Sequence, residues 1–458
     1  MSKNISVFFN NVKKISTGKP DRAICWPKPS YGPMETHRSE LMNGIKIVAA
    51  KTSGALMAAC TIMFQAGSRY ESPDFLGATH FLRAASMGSG CCYTAFLKLR
   101  VLQQRGAYLT CSSDRQSISY TLRCPLPYFG ELKYYLLDTA ARCCYHDWEV
   151  TDRKPLVRGD LARINPEERV IDLIQKAFWA GPLANSIYCD EHRIDDMSGE
   201  LLNNYVKTYF KTTNCCVASV GIPFEETMML ADKIDSRRDK PLLKPHPKSR
   251  PRAGFEYYDL GSGSDTWIAV AVPGCGTDDI TNLYKQAIIA SACGAGNMQQ
   301  GQHELDRIPE PPLGFMSGDD VFTNFKAFNI SYADTGIFGI MAKTRSVTAN
   351  RTAYAVTEFL SNIGDLDFKQ IQDGKKRLQL NLAIHEEDCV KVAEGLGLQL
   401  ANNVRIDSLQ ESINIIDTIS LDEVKATAMC LSRSSNEMAV AVVGDLSVVP
   451  NDHEIFKK

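Results

Sequence analysis

Ser72–Gly90 reads SPDFLGATHFLRAASMGSG, and this stretch decides how the rest of the chain is read. Ser72 followed by Pro73 and Asp74 is a helix start, and Gly88 is a natural stop, so the pattern predicts one helix over Ser72–Met87. On that helix His80 and Ala84 stand one turn apart on the same face, with Arg83 beside them. A histidine on a helix face with an acid and a second histidine nearby could hold zinc. Here the neighbours are a permanent cation and a methyl group, and His80 alone reads as a half-buried, hydrogen-bonded histidine.

The segment lies in a chain of 458 residues, long enough for several cores. Hydrophobic residues make up 44% and charged residues 23%, a globular composition. With 51 Lys+Arg against 53 Asp+Glu the net charge is -2, which gives no reason to expect a nucleic-acid partner. No apolar run approaches the roughly 18–20 residues of a membrane span, the best candidates being strand-sized, such as Leu56–Phe64. Fifteen cysteines include the vicinal pairs Cys91/Cys92, Cys143/Cys144 and Cys215/Cys216. Adjacent cysteines rarely bridge and no C-x-x-C occurs, so reduced thiols are expected.

Residues 1–20 contain four lysines and no acid, with Ile5, Phe8, Val12 and Ile15 on one helical stripe; that combination resembles a mitochondrial presequence. Residues 235–253 form the expected linker. Its core, DSRRDKPLLKPHPKSRPR, has seven basic residues, two acids and four prolines, so it should be exposed, and a cut there should leave two stable halves. The expected division is an N-terminal domain over 21–234 carrying the degenerate site and a C-terminal domain over 254–458.

The two sides of the linker look alike. Ser198 and Ser420 each begin a helix with an acid close behind, and each helix precedes an apolar strand, CVASVGI and MAVAVVG. The offset between the serines is 222, which supports an internal duplication. Strands are expected at Ile45–Ala50, Met57–Gln65, Ile118–Arg123, Trp267–Val272, Ala327–Tyr332 and Gly336–Ala342. Helices are expected at Tyr128–Cys144, Arg169–Ala180, Thr348–Ile363 and Phe368–Ala383. The class is α+β: two similar halves, each a mixed or antiparallel sheet covered by helices on one face.

Around His80 the sequence resembles the pitrilysin-type metallopeptidases, whose H-x-x-E-H motif sets two zinc-binding histidines at i and i+4 with a general-base Glu at i+3. Carried over residue by residue, His80 keeps the first ligand, Arg83 replaces the base and Ala84 the second ligand. The third-ligand window falls near Asp160. The resemblance therefore implies a clamshell of two halves with a degenerate site, no catalytic residue, no bound metal and no cofactor. Segments LGATHFLRAAS (Leu76–Ser86), LANSIYCDEHR (Leu183–Arg193) and FNISYADTGIFG (Phe328–Gly339) are similar to the branch formed by the core subunits of respiratory complex III. The runner-up is the presequence-binding alpha subunit of the processing peptidase, whose glycine-rich loop is much longer than SACGAGNMQQGQ here. An active zinc endopeptidase of the same fold is a third reading that Arg83 and Ala84 oppose. The core-subunit branch implies core protein 1, cytochrome b, cytochrome c1, the Rieske iron–sulfur protein and small complex III subunits as partners. It also implies peripheral attachment to the matrix side of the mitochondrial inner membrane, with no haem or quinone in this chain.

Other constellations are bland. His303-Glu304 lacks a second histidine, His385-Glu386-Glu387 sits in a charged helix, and Cys189 and His192 have no partner pair. Gly294-Ala295-Gly296 follows a helix and has the wrong spacing for a dinucleotide loop.

Overall fold

The computed structural model describes residues 34–51, 54–234, 249–295, 311–317, 320, 322–404 and 408–450. The presequence-like stretch, most of the linker and His303-Glu304 lie outside the described residues.

The first sheet contains β1 (Glu35–Glu40), β2 (Lys46–Lys51), β3 (Met57–Phe64), β4 (Tyr108–Ser113), β5 (Ile118–Pro125) and β7 (Cys215–Val220), in the order β1-β2-β7-β3-β5-β4. The second contains β9 (Phe255–Asp259), β10 (Thr266–Gly274), β11 (Asn324–Ser331), β12 (Gly336–Thr344) and β13 (Ala439–Gly444), in the order β11-β12-β10-β13-β9. Read from its other end, the second sheet repeats the first strand for strand, and among the described residues it lacks only a counterpart of β1. In each, one parallel pair sits in an otherwise antiparallel sheet: β2 with β7, and β9 with β13. A short pair, β6 (Trp179–Ala180) with β8 (Arg250–Pro251), stands apart.

Helices of the first part are α1 (Ala78–Ala84), α2 (Ala95–Gln104), α3 (Phe129–Ala140), α4 (Asp147–Arg163), α5 (Pro166–Phe178), α6 (Gly199–Tyr209) and α7 (Phe224–Asp232). Those of the second are α8 (Ile280–Cys293), α9 (Pro312–Ser317), α10 (Ala349–Ser361), α11 (Phe368–Glu386), α12 (Cys389–Ala401), α13 (Leu409–Thr418) and α14 (Leu421–Arg433). Both predicted serine caps form. Ser198 Oγ accepts from the Leu201 amide and Ser420 Oγ from the Glu423 amide, each at 3.2 Å, and the helices they start, α6 and α14, lead into the equivalent strands β7 and β13.

The expectation of sheets covered on one face is corrected. Each sheet has its own helices on one side and a helix from the other half on the second. Val392, Ala393, Leu396, Leu400 and Ala401 of α12 pack on Val48, Ala59, Met63 and Ala218 of the first sheet. Reciprocally, Val170, Ile174, Ala177 and Phe178 of α5 pack on Ala269, Ala271, Ala439, Ala441 and Val443 of the second. Two-sided burial explains why β7 and β13 are buried at every residue and read as continuous apolar runs rather than alternating ones. A bidentate pair, Arg69 with Asp334 at 2.7 and 2.8 Å, joins the halves again.

The linker reading is corrected at its C-terminal end. Ser249 is buried, Arg250 and Pro251 pair with Ala180 and Trp179, and the Arg252 amide donates to the Phe178 carbonyl. The described cysteines carry no disulfide.

Candidate functional site

The single helix predicted over Ser72–Met87 is two pieces: a 3-10 turn at Pro73–Phe75 and then α1. Ser72 makes no side-chain cap. The chain breaks at Gly77, whose φ of 89° suits glycine, and a Cβ there would stand 2.5 Å from the Cys189 sulfur. Glu71 caps α1 instead. Its carboxylate accepts from the amides of Gly77 (2.9 Å) and Thr79 (2.8 Å) and from the Thr79 hydroxyl (2.7 Å), which satisfies free donors at the helix start. A glutamate that caps from before the turn has no simple sequence signature, so the reading fell on the nearby serine.

The fold sets His80 beside Asp160. Asp160 lies on α4, and its Oδ2 is 3.9 Å from His80 Nε2. Two atoms sharing a tetrahedral zinc at about 2.0–2.2 Å stand roughly 3.4 Å apart, so spacing alone would need only a small shift. Protonation opposes it. His80 Nδ1 accepts a hydrogen bond from the Cys189 amide at 3.2 Å, so in the neutral ring the proton sits on Nε2, the nitrogen that faces Asp160. A zinc-bound histidine is wired the other way: its metal-binding nitrogen is bare and its second nitrogen donates outward. Cys189 thus acts through its backbone, and its thiol donates to the Asp190 carbonyl.

Arg83 adds positive charge at the same place. Its guanidinium donates to Ser113 Oγ of β4 at 3.2 Å and lies 5.5 Å from the centre of the Tyr188 ring. Tyr188 in turn meets His80 edge to face, with ring centres 5.7 Å apart. Ala84 occupies the next turn, partly buried against the first core. Among the described residues no group of three or more His, Cys, Asp or Glu converges where it could hold a metal. The residues present do not fit a zinc ion.

A cavity of about 510 Å³ lies between α4, α5, the 186–191 segment and β9. Arg158, Arg169, Tyr188, Glu256 and Tyr258 line it, whereas His80, Arg83, Ala84 and Asp160 do not. The remnants of the motif therefore do not face this chamber. His192 lies in the short turn Glu191–Arg193, His385 and Glu386 end α11, and Gly294 caps α8. None of these gathers metal-binding neighbours.

Two buried groups make the site respond to pH in opposite senses. Burial raises the Glu71 carboxyl to about 7 despite its hydrogen bonds. Burial, with Arg83 second, lowers the His80 imidazole to about 3. The folded state holds the Glu71 proton more tightly than the unfolded state. That stability is full below about 4.5 and is lost as pH rises through 7. His80 resists protonation, so its contribution is full above 6.5 and is lost as pH falls towards 3. Between 4.5 and 6.5 the two slopes oppose each other. Glu71→Gln should expose a loss of about 2–3 kcal/mol on acidification from pH 6.5 to 4.5, and His80→Gln the reverse slope, since each pH unit is worth about 1.4 kcal/mol. Urea midpoints across pH 4.5–7.5 check this; parallel curves for the two variants would refute it.

Residues 46–191 match the family model described as insulinase (peptidase family M16). The chain is 24% identical to the probable mitochondrial-processing peptidase subunit alpha-1 of Arabidopsis thaliana, over 97% of its own length and 89% of that protein. It is also 24% identical to the cytochrome b-c1 complex subunit 2 of Homo sapiens, over 80% of its own length and 81% of that protein. Among solved structures, a chain of complex III2 from Candida albicans with Inz-5 bound superposes with a TM-score of 0.74 at 15% identity, covering 89% of this chain and 95% of that one.

Proposed function

We infer that this chain, which has the M16 peptidase fold and is similar over most of its length to subunit 2 of the cytochrome b-c1 complex, is a non-hydrolytic core subunit of that complex, of the core protein 2 type. One observation carries the non-hydrolytic part: the Cys189 amide fixes the His80 tautomer whose outward nitrogen is protonated. A peptidase zinc needs three protein ligands and a water. Here one candidate ligand is a neutral imidazole whose outward nitrogen carries the ring's one proton, one is an alanine and the base is an arginine. The role is then assembly: core protein 1 as the paired subunit, with cytochrome b, cytochrome c1, the Rieske protein and small subunits around them, on the matrix side of the mitochondrial inner membrane. No described helix is long and apolar enough to cross a membrane, so attachment runs through partners.

The alpha subunit of the processing peptidase is the second reading, favoured by the 24% identity over 97% of the chain to a protein of that name. The two part on a native gel of mitochondrial membranes. The expected result is this chain in a detergent-released band of several hundred kilodaltons, with cytochromes b and c1 identified by mass spectrometry. Recovery mainly as a soluble heterodimer with a processing-peptidase beta subunit would overturn the core-subunit reading.

A further inference from the structure

A second cavity, of about 210 Å³, lies between the two halves and shares no residue with the 510 Å³ chamber. The first half contributes Asp114 and Gln116, from the turn between β4 and β5. The second half contributes Thr277, the start of α8, Ser331 at the end of β11, the C-terminal turn of α12 and Ser412 of α13. Two hydrogen bonds fix the walls. Gln116 Oε1 accepts the Ala333 amide at 3.2 Å across the halves, and the Tyr284 hydroxyl donates to Ser412 Oγ at 2.9 Å.

The lining is amphipathic. Ile280, Leu283, Leu398 and Val404 supply apolar surface, and Thr277, Ser331 and Gln399 supply polar groups. Thr277 Oγ1, Ser331 Oγ and Gln399 Oε1 are all buried, with no hydrogen-bond partner among the described residues. Buried polar atoms in folded proteins are nearly always paired, so three such oxygens on residues around one cavity call for a physical reason. A hydroxyl can donate or accept, but the Gln399 amide oxygen only accepts. Asp114 is the one charged residue of the lining, and its exposure puts it at the mouth. No Lys, Arg or His lines the cavity. It therefore offers one negative charge and spare lone pairs, and nothing that would balance a carboxylate or phosphate guest.

We propose that this cavity binds a small primary alkylammonium ion, a free amine of roughly six to eight non-hydrogen atoms, in keeping with the benzene that an apolar cavity of about 150 Å³ admits. The ammonium group carries three N–H donors, which meet the Asp114 carboxylate, Gln399 Oε1 and one of the two hydroxyls. Its alkyl chain lies against Ile280, Leu283 and Leu398. Thr277 and Ser331 each turn about a single torsion to bring their oxygens to the guest. Because both halves supply the wall, the guest ties the β4–β5 turn to α8 and α12.

The test uses the purified full chain and three probes of equal chain length, n-hexylamine, 1-hexanol and hexanoate, followed by calorimetry and ligand-observed NMR. Hexylamine, a cation at neutral pH, should bind with a Kd on the order of 0.1–1 mM, a modest affinity for so few atoms. It should bind about ten-fold more tightly than hexanol, since hydrogen bonds that involve a charged group are the stronger class, and hexanoate should not bind. Asp114→Asn keeps an oxygen for the Gln116 amide and should weaken hexylamine about ten-fold without weakening hexanol. Gln399→Leu, which removes the acceptor inside the cavity, should also favour hexanol over hexylamine. Equal binding of hexylamine and hexanol, a preference for hexanoate, or hexylamine binding unchanged in both variants would each overturn the proposal. So would no binding of hexylamine at millimolar concentration, which would leave water alone to meet the three oxygens. Circular dichroism and the melting temperature of each variant separate a lost site from a lost fold.

Discussion

Residues 34–234 and 249–458, expressed separately, are expected to be insoluble, and expressed together they should yield a soluble, associated pair. The first fragment would lack α12, whose Val392, Leu396 and Leu400 bury against the first sheet. Burying each of these side chains is worth about 1.5–3 kcal/mol. Losing all three therefore removes about 5–9 kcal/mol, comparable with the whole stability of a domain at about 5–15 kcal/mol. The second fragment would lack Val170, Ile174 and Phe178 of α5, with the same consequence. A protease cut within 235–248 should therefore leave both pieces together on a sizing column until denaturant is added. This reverses the expectation of two independently stable halves. Within the intact chain, Leu396→Ala should cost about 2–5 kcal/mol even though Leu396 lies far in sequence from the sheet it covers. Soluble, monomeric and cooperatively unfolding single fragments would show that the exchanged helices are dispensable.

After loading with zinc and dialysis, the purified chain should retain far less than one zinc per molecule, and Arg83→Glu with Ala84→His should still fall well short of one. The double substitution restores H-x-x-E-H in letters. It leaves the Cys189 amide donating to His80 Nδ1, so a zinc at Nε2 would have to force the proton onto a nitrogen that already faces a donor. Outer-shell partners change metal affinity by about 10–100-fold even when they are favourably arranged; here one is set against the metal, and Asp160 would still have to move. Stoichiometric zinc in the wild type, lost in His80→Gln, would refute the reading of a site that cannot hold metal. Stoichiometric zinc in the double variant alone would show that the tautomer can be switched and that Arg83 and Ala84 are the whole defect.

Much of the fold was legible because periodicity reports local geometry directly. The strands at Met57–Phe64 and Ile118–Pro125 and the serine-capped helices α6 and α14 lie within a few residues of where the pattern places them. The helix exchange was not legible, since an apolar stripe on α5 or α12 states that a face is buried but not which sheet it meets. Strand β1, ETHRSE, is exposed at every residue and gave no alternation to read. At the site, His80, Arg83 and Ala84 come from the motif and Asp160 from the neighbourhood of the third-ligand window; in the fold His80 Nε2 lies 3.9 Å from Asp160 Oδ2. Glu71 and the Cys189 amide escaped, because one caps across a turn and the other acts through its backbone, where side-chain identity carries no signal. The cysteine doublets were visible as doublets, but the bridge that sets Gly90 beside Cys143 is tertiary and left no local signal.

That no described strand of the second sheet matches β1 bears on how the two sheet borders meet solvent. The first sheet ends in a strand of charged and hydroxylated side chains that discourages a stray chain from joining its hydrogen-bonding row. The second sheet ends at β9, FEYYD, where Tyr257 and Tyr258 are exposed and no described strand lies outside them. Lysine and proline, the usual guards of an open edge, are absent from that strand. Among the described residues the two equivalent borders therefore differ, one lined with charged and hydroxylated side chains and the other with exposed tyrosines.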